Sequence, residues 1–171
     1  GGQRKEGGGG LAAWDLTHRS ALLSATTCAV LAVRLSDFEV LESSQGADLF
    51  CPFPQFRGYK NQSLQLMVHA KDNPALRKFR ARAIQGGGSE GGLRAGETIH
   101  LRMLRMSMER STGTLLSSWE PKELTVLNAP GGGSLLLCFQ LSTGDTEPLR
   151  TDPSFWQTFN ERARRWFHSE F

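Results

Sequence analysis

The last third of the chain, residues 123–171, is the stretch that most restricts the fold. It alternates as strand, glycine turn, strand and turn, and then runs into one amphipathic helix. Glu123–Asn128 and Ser134–Leu141 read as two strands, and the Ala-Pro-Gly-Gly-Gly between them reads as a hairpin loop. On the second strand Leu135, Leu137, Phe139 and Leu141 share one face and Leu136 and Cys138 the other. Both faces are apolar, which predicts a central position in a sheet.

The closing helix has a physical start signal. Asp152 is a good N-cap because its carboxylate accepts from free first-turn amides, and Pro153 sits at the first helical position, where its missing N–H costs nothing. Phe155, Phe159, Ala163 and Trp166 or Phe167 follow at helical spacing. So heavy an apolar face requires a sheet or a second helix to bury it, at roughly 1.5–3 kcal/mol per large side chain.

Earlier in the chain, residues 29–42 look extended, with a bend near Ser36-Asp37 where the alternation changes parity. The two prolines of residues 51–59 argue against a central strand there. Leu64, Leu66, Val68 and Ala70 alternate as a half-buried strand. Asn73-Pro74 is a second helix start, with Leu76, Phe79 and Ala83 as its apolar stripe to about Gln85. Residues 97–108 suit a strand with a bulge, because their alternation also changes parity; a short helix fits as well.

Glycine punctuates the chain at residues 1–10, 86–92 and 131–133. These runs predict a disordered or weakly ordered N-terminal segment over residues 1–30, one folded domain over 31–171, and a mobile loop at 86–92. The first residue is Gly1, which fits a fragment or a trimmed chain. The uncharged run 20–33 is only 14 residues, too short to span a bilayer comfortably, so no transmembrane segment is expected; it reads as an internal helix or strand pair, with a signal peptide following Arg19 as the minor alternative. Cys28, Cys51 and Cys138 are widely spaced and odd in number, which predicts free thiols in a reducing, cytoplasmic setting.

Charge is uneven. Residues 55–110 carry 11 basic and 4 acidic side chains, a balance of +7, whereas residues 1–54 and 111–171 are each at −2. Arg77, Lys78, Arg80 and Arg82 concentrate the excess and are the candidate binding residues; Arg57, Lys60 and Lys71 are candidates to join them. Guanidinium binds phosphate in bidentate fashion, so the patch suits an anionic phospholipid, an acidic protein surface or nucleic acid. Only Phe79 interrupts the cluster and it reads as core, which ranks nucleic acid, with its need for stacking aromatics, behind the other two. The bland alternative is a solvated face.

No catalytic or metal-ligating residue is assigned, and no cofactor is expected. Gly87-Gly88-Ser89-Glu90-Gly91 fits Gly-x-Ser-x-Gly, but a nucleophile elbow needs a strand before it and a helix after it, and neither is present. His18, His69, His100 and His168 have no His or Cys partner at metal-ligand spacing. An enzyme whose site assembles from distant residues stays open as a further class.

Residues 123–167 resemble the end of a pleckstrin-homology-like (PH-like) module. Within that superfold, Trp119–Val126, the strand Leu135–Leu141, the turn Ser142-Thr143-Gly144 and the helix carrying Phe155 and Trp156 are similar to the Golgi-associated Rab-interactor family. The resemblance implies a mixed α/β (α+β) fold: a partly open antiparallel β-barrel capped by the C-terminal helix. It also implies a non-enzymatic scaffold that binds a Rab-type small GTPase at Golgi membranes. The chain departs from the family after Gly144, where Asp145–Arg150 replaces an apolar strand.

Overall fold

The computed structural model describes residues 21–53, 58–86, 90–109, 111–128, 133–142, 144–145 and 152–170. Among them, five strands form one antiparallel sheet. They are β1 (Cys28–Arg34), β2 (Val40–Ser43), β3 (Thr98–Met108), β4 (Leu115–Val126) and β5 (Ser134–Gln140), in the order β2-β1-β5-β4-β3. Strand β5 is central, as its two apolar faces predict. It pairs along its whole length with β1, setting Leu135, Leu137 and Phe139 beside Val33, Leu31 and Ala29 on the core face. Val30, Ala32 and Leu136, on the opposite face, are buried too.

The sheet curls because the chain between β2 and β3 pairs with both of its outer strands. Glu39 bridges Ser63, and Val40 N–H donates to the Gln62 carbonyl at 2.9 Å. A few residues on, Val68 bridges Met103, and Leu104 N–H donates to the Met67 carbonyl at 2.9 Å. The result is a partly open barrel in a mixed α/β fold, capped by a C-terminal helix. The strand expected over residues 64–70 is therefore two isolated bridges flanking a turn. Leu66 is an exposed turn residue, while Leu64, Met67 and Val68 are buried. Buried Tyr59 reinforces the closure by donating its hydroxyl to the Leu104 carbonyl at 2.6 Å.

The register of β3 against β4 is uninterrupted from Thr98↔Thr125 to Met108↔Leu115, so the parity change in β3 is not a bulge in this pair. The strand buries Leu101 and Met103 on one face, then Leu104, Met106 and Met108 on the other. Strand β4 begins eight residues before the predicted start and contains Pro121. Opposite it, Arg102 turns its backbone N–H and carbonyl away from β4, toward Asp72 and His69. Pro121 thus occupies a non-hydrogen-bonded position. Among the described residues no strand pairs with its other side, since β5 pairs β4 only at Thr125 and Val126.

Helices α1 (Gln45–Phe50), α2 (Asn73–Gln85) and α3 (Pro153–Glu170) flank the sheet, with a 3-10 turn (Ala70–Asp72) leading into α2 and a helical turn at residues 21–23 before β1. Ser44 caps α1, accepting from Ala47 N–H at 3.3 Å. Helix α2 has the predicted span, but its N-cap is Asp72 rather than Asn73, and the Asp72 side chain makes no capping bond. Helix α3 starts as predicted, with Asp152 Oδ1 accepting from Ser154 N–H at 3.1 Å and Phe155 N–H at 3.4 Å. Phe159 and Ala163 are fully buried, and Phe155, Trp156, Trp166 and Phe167 pack around the same core. The Phe167 ring stacks on Phe53 with centroids 5.2 Å apart. The sheet begins at Cys28, three residues before the predicted domain start. Of the N-terminal segment predicted as weakly ordered, residues 1–20 lie outside the described residues, while 21–30 include a helical turn at 21–23 and the start of β1 with Ala29 and Val30 buried; residues 87–89 of the glycine loop also lie outside the described residues.

Candidate functional site

Helix α2 carries all four predicted binding residues. Its buried stripe, Leu76, Phe79 and Ala83, fixes which side each cation takes. Arg80 and Arg82 flank the stripe, are half-buried and are committed to the fold. Arg80 donates Nε to the Leu35 carbonyl at 3.1 Å and a second nitrogen to the Ser36 carbonyl, holding the β1–β2 turn. Arg82 donates Nε to the Gly91 carbonyl at 2.7 Å and pairs with Glu97 Oε1 at 2.6 Å. Its hydrogen bond, with a second from Arg94 N–H, holds the Glu97 carboxyl below the ordinary glutamate range.

Arg77 and Lys78 are exposed and make no hydrogen bond or ion pair with the described residues. The predicted four-residue cluster thus divides into two structural and two surface cations. Of the residues considered as additions, Lys60 pairs with Glu42 at 3.4 Å, Lys71 is exposed, and Arg57 lies outside the described residues.

Two further charge clusters arise from tertiary contacts. At the foot of α2, Asp72 holds Arg102 through Nε at 3.0 Å and the terminal nitrogen at 2.7 Å, and it accepts the Arg102 backbone N–H at 2.8 Å. The Arg102 hydrogen bond lowers the Asp72 carboxyl to about 2. On the sheet, Asp145 accepts from Lys122 Nζ at 2.8 Å and from Ser142 N–H at 2.7 Å, with Arg105 Nε 3.5 Å away. Burial pushes the Asp145 carboxyl up, but these donors together outweigh it and leave it below the ordinary range. Lys122 also lies 5.5 Å from the centre of the Phe50 ring, a cation–π contact. Lys122, Arg105 and Asp145 are distant in sequence, so no local signal links them.

The histidines are not brought together. His69 Nδ1 accepts from Lys71 N–H at 3.1 Å, His100 lies 3.3 Å from Glu123, and His168 is on the exposed side of α3. Among the described residues no three His, Cys, Asp or Glu side chains gather to hold a metal. The cysteines are free thiols. Burial raises Cys51 to about 12, which suits a core side chain rather than a nucleophile. Ser89 and His18 lie outside the described residues. No helix among the described residues is long and apolar enough to cross a membrane.

No protein-family model matches the chain, and no curated protein matches it. Among solved structures it is similar to an RNA-binding light-oxygen-voltage receptor, with a TM-score of 0.41 and 13% identity. The alignment covers 90% of this chain and 37% of the receptor chain.

Proposed function

We propose that the chain is a non-enzymatic interaction module that recruits an acidic protein surface through Arg77 and Lys78. The observation that carries this reading is the division of labour on α2. Arg80 and Arg82 fix the helix to the turn and loop beside it, and the two exposed cations make no ion pair with the described residues. The resemblance of the C-terminal third to Rab interactors makes a Rab-type small GTPase the first partner to test, with a Golgi-associated site of action.

Magnitudes favour protein over lipid. Each basic side chain near an anionic bilayer contributes about 1 kcal/mol, so Arg77 and Lys78 together supply only about 2 kcal/mol. A folded partner adds apolar contact and shape to the same charges. Nucleic-acid binding through so few phosphate contacts would be weak and steeply salt-sensitive.

The test is retention of Rab-type GTPases, loaded with GDP or a non-hydrolysable GTP analogue, on the immobilised chain. RNA and phosphatidylserine vesicles run alongside. Nucleotide-dependent retention that disappears in Arg77→Glu/Lys78→Glu supports the reading. Equal retention by wild type and variant overturns it.

A further inference from the structure

We infer that the outer face of α2 is a docking stripe for an acidic amphipathic segment of the partner, with Ile84 as its apolar anchor; this rests on the reading of Arg77 and Lys78 above. Arg77, Ala81 and Ile84 follow one another at spacings of four and three residues, so they line one side of the helix. All three are exposed, and Lys78 stands beside Ala81 one turn earlier. Ile84 is 54% exposed, the most open large apolar side chain among the described residues. The helix already satisfies its own packing through Leu76, Phe79 and Ala83, so Ile84 is surplus to the core.

The long neighbours of the stripe are drawn off it. Arg80 turns to the Leu35 and Ser36 carbonyls, and Arg82 turns to Gly91 and Glu97. What remains exposed around the methyl-sized floor at Ala81 is Ile84 as apolar wall, Gln85 one turn on, and the cations Arg77 and Lys78 one turn before. The complement of that surface is one apolar side chain seated over Ala81 against Ile84, flanked by carboxylates that meet the two cations. A few contacts carry most of an interface's energy where surrounding neighbours exclude water from them, and the segment seated on Ala81 would shield Ile84 in that way.

The experiment uses the whole chain and two fluorescent peptides of equal charge, followed by anisotropy to millimolar concentration. One carries a leucine between two pairs of glutamates; the other carries serine in its place. The leucine peptide is expected to bind at least five-fold more tightly. Ile84→Ser removes that advantage and leaves the serine peptide unchanged, and Arg77→Glu/Lys78→Glu weakens both about ten-fold or more. Circular dichroism checks that each variant is folded, and Ile84→Ala serves as a second truncation.

The docking stripe is overturned if the leucine and serine peptides bind alike, if neither binds, or if Ile84→Ser changes nothing. Loss of peptide binding in the charge reversal with no effect at Ile84 leaves the basic site standing without its anchor. Insensitivity of both peptide binding and GTPase retention to the charge reversal removes both readings. Ile84-dependent binding to phosphatidylserine vesicles, with no binding to peptide, assigns the face to lipid and overturns the protein partner.

Discussion

The Lys122 ammonium meets the Asp145 carboxylate at 2.8 Å, and both side chains are only 10% exposed. Removing one member of such a pair strands the other charge, whereas replacing both with apolar groups is often neutral. Asp145→Asn is expected to destabilise the fold by about 3 kcal/mol, and Lys122→Met/Asp145→Leu to recover only the part due to Lys122, because Arg105 and the Ser142 N–H still lose the carboxylate. Urea unfolding of the wild type, the single and the double variant checks this.

The Asp72–Arg102 pair gives a pH signature. The Asp72 carboxyl is lowered from 3.8 to about 2 in the folded chain, so its contribution is complete only above about pH 5. It is lost as pH falls through the folded value. Because Arg102 is 39% exposed, the contribution is discounted for solvent screening to about 1 kcal/mol. Asp72→Asn should therefore lose stability at pH 7 and converge on wild type as pH approaches 2. A constant difference across that range would assign the loss to packing.

Arg82 and Arg77 should separate stability from binding. Arg82→Ala loses hydrogen bonds to Gly91, Gly92 and Glu97 and is expected to cost about 1–2 kcal/mol. Arg77→Ala removes an exposed side chain with no hydrogen bond or ion pair to the described residues and should stay within about 0.5 kcal/mol of wild type. Thermal unfolding of the two single variants decides the matter. Equal losses would mean that Arg77 also serves the fold.

Tyr59→Phe tests the barrel closure. The variant leaves the Leu104 carbonyl buried without the donor now 2.6 Å away, at a cost of about 1–3 kcal/mol. Amide hydrogen exchange should quicken at Leu104 and His69, whose N–H groups bond across the same seam to Met67 and Arg102. Unchanged protection at these two amides would show that the seam holds without the tyrosine.

What could be read directly was local chemistry. Helix α3 announces itself because Asp152 and Pro153 act within one turn and Phe155, Phe159 and Ala163 recur at helical spacing. Strand β5 is apolar on both faces, which points to a covered, central strand, and the structure pairs it with β1 on one edge and the end of β4 on the other. Helix α1 carried no such signal. It is six residues long and contains Gly46, a poor helix former. Its glycine is required by tertiary packing, since a Cβ there would lie 2.3 Å from the Cys28 carbonyl oxygen.

The basic segment marks the boundary most clearly. Sequence alone placed Arg77, Lys78, Arg80 and Arg82 in one short segment with a helix start signal and an apolar stripe, because these are properties of neighbouring residues; that the segment is helical throughout came with the structure. The sequence also established the central, doubly buried strand and the capped C-terminal helix. Only the tertiary structure decided that Arg80 and Arg82 are spent on carbonyls and a carboxylate of the turn and loop packed beside them. It alone paired both outer strands with residues 61–69, and it alone joined Lys122 to Asp145. Hydrogen bonds and ion pairs are selected by distance in space, and a linear pattern carries no such distances.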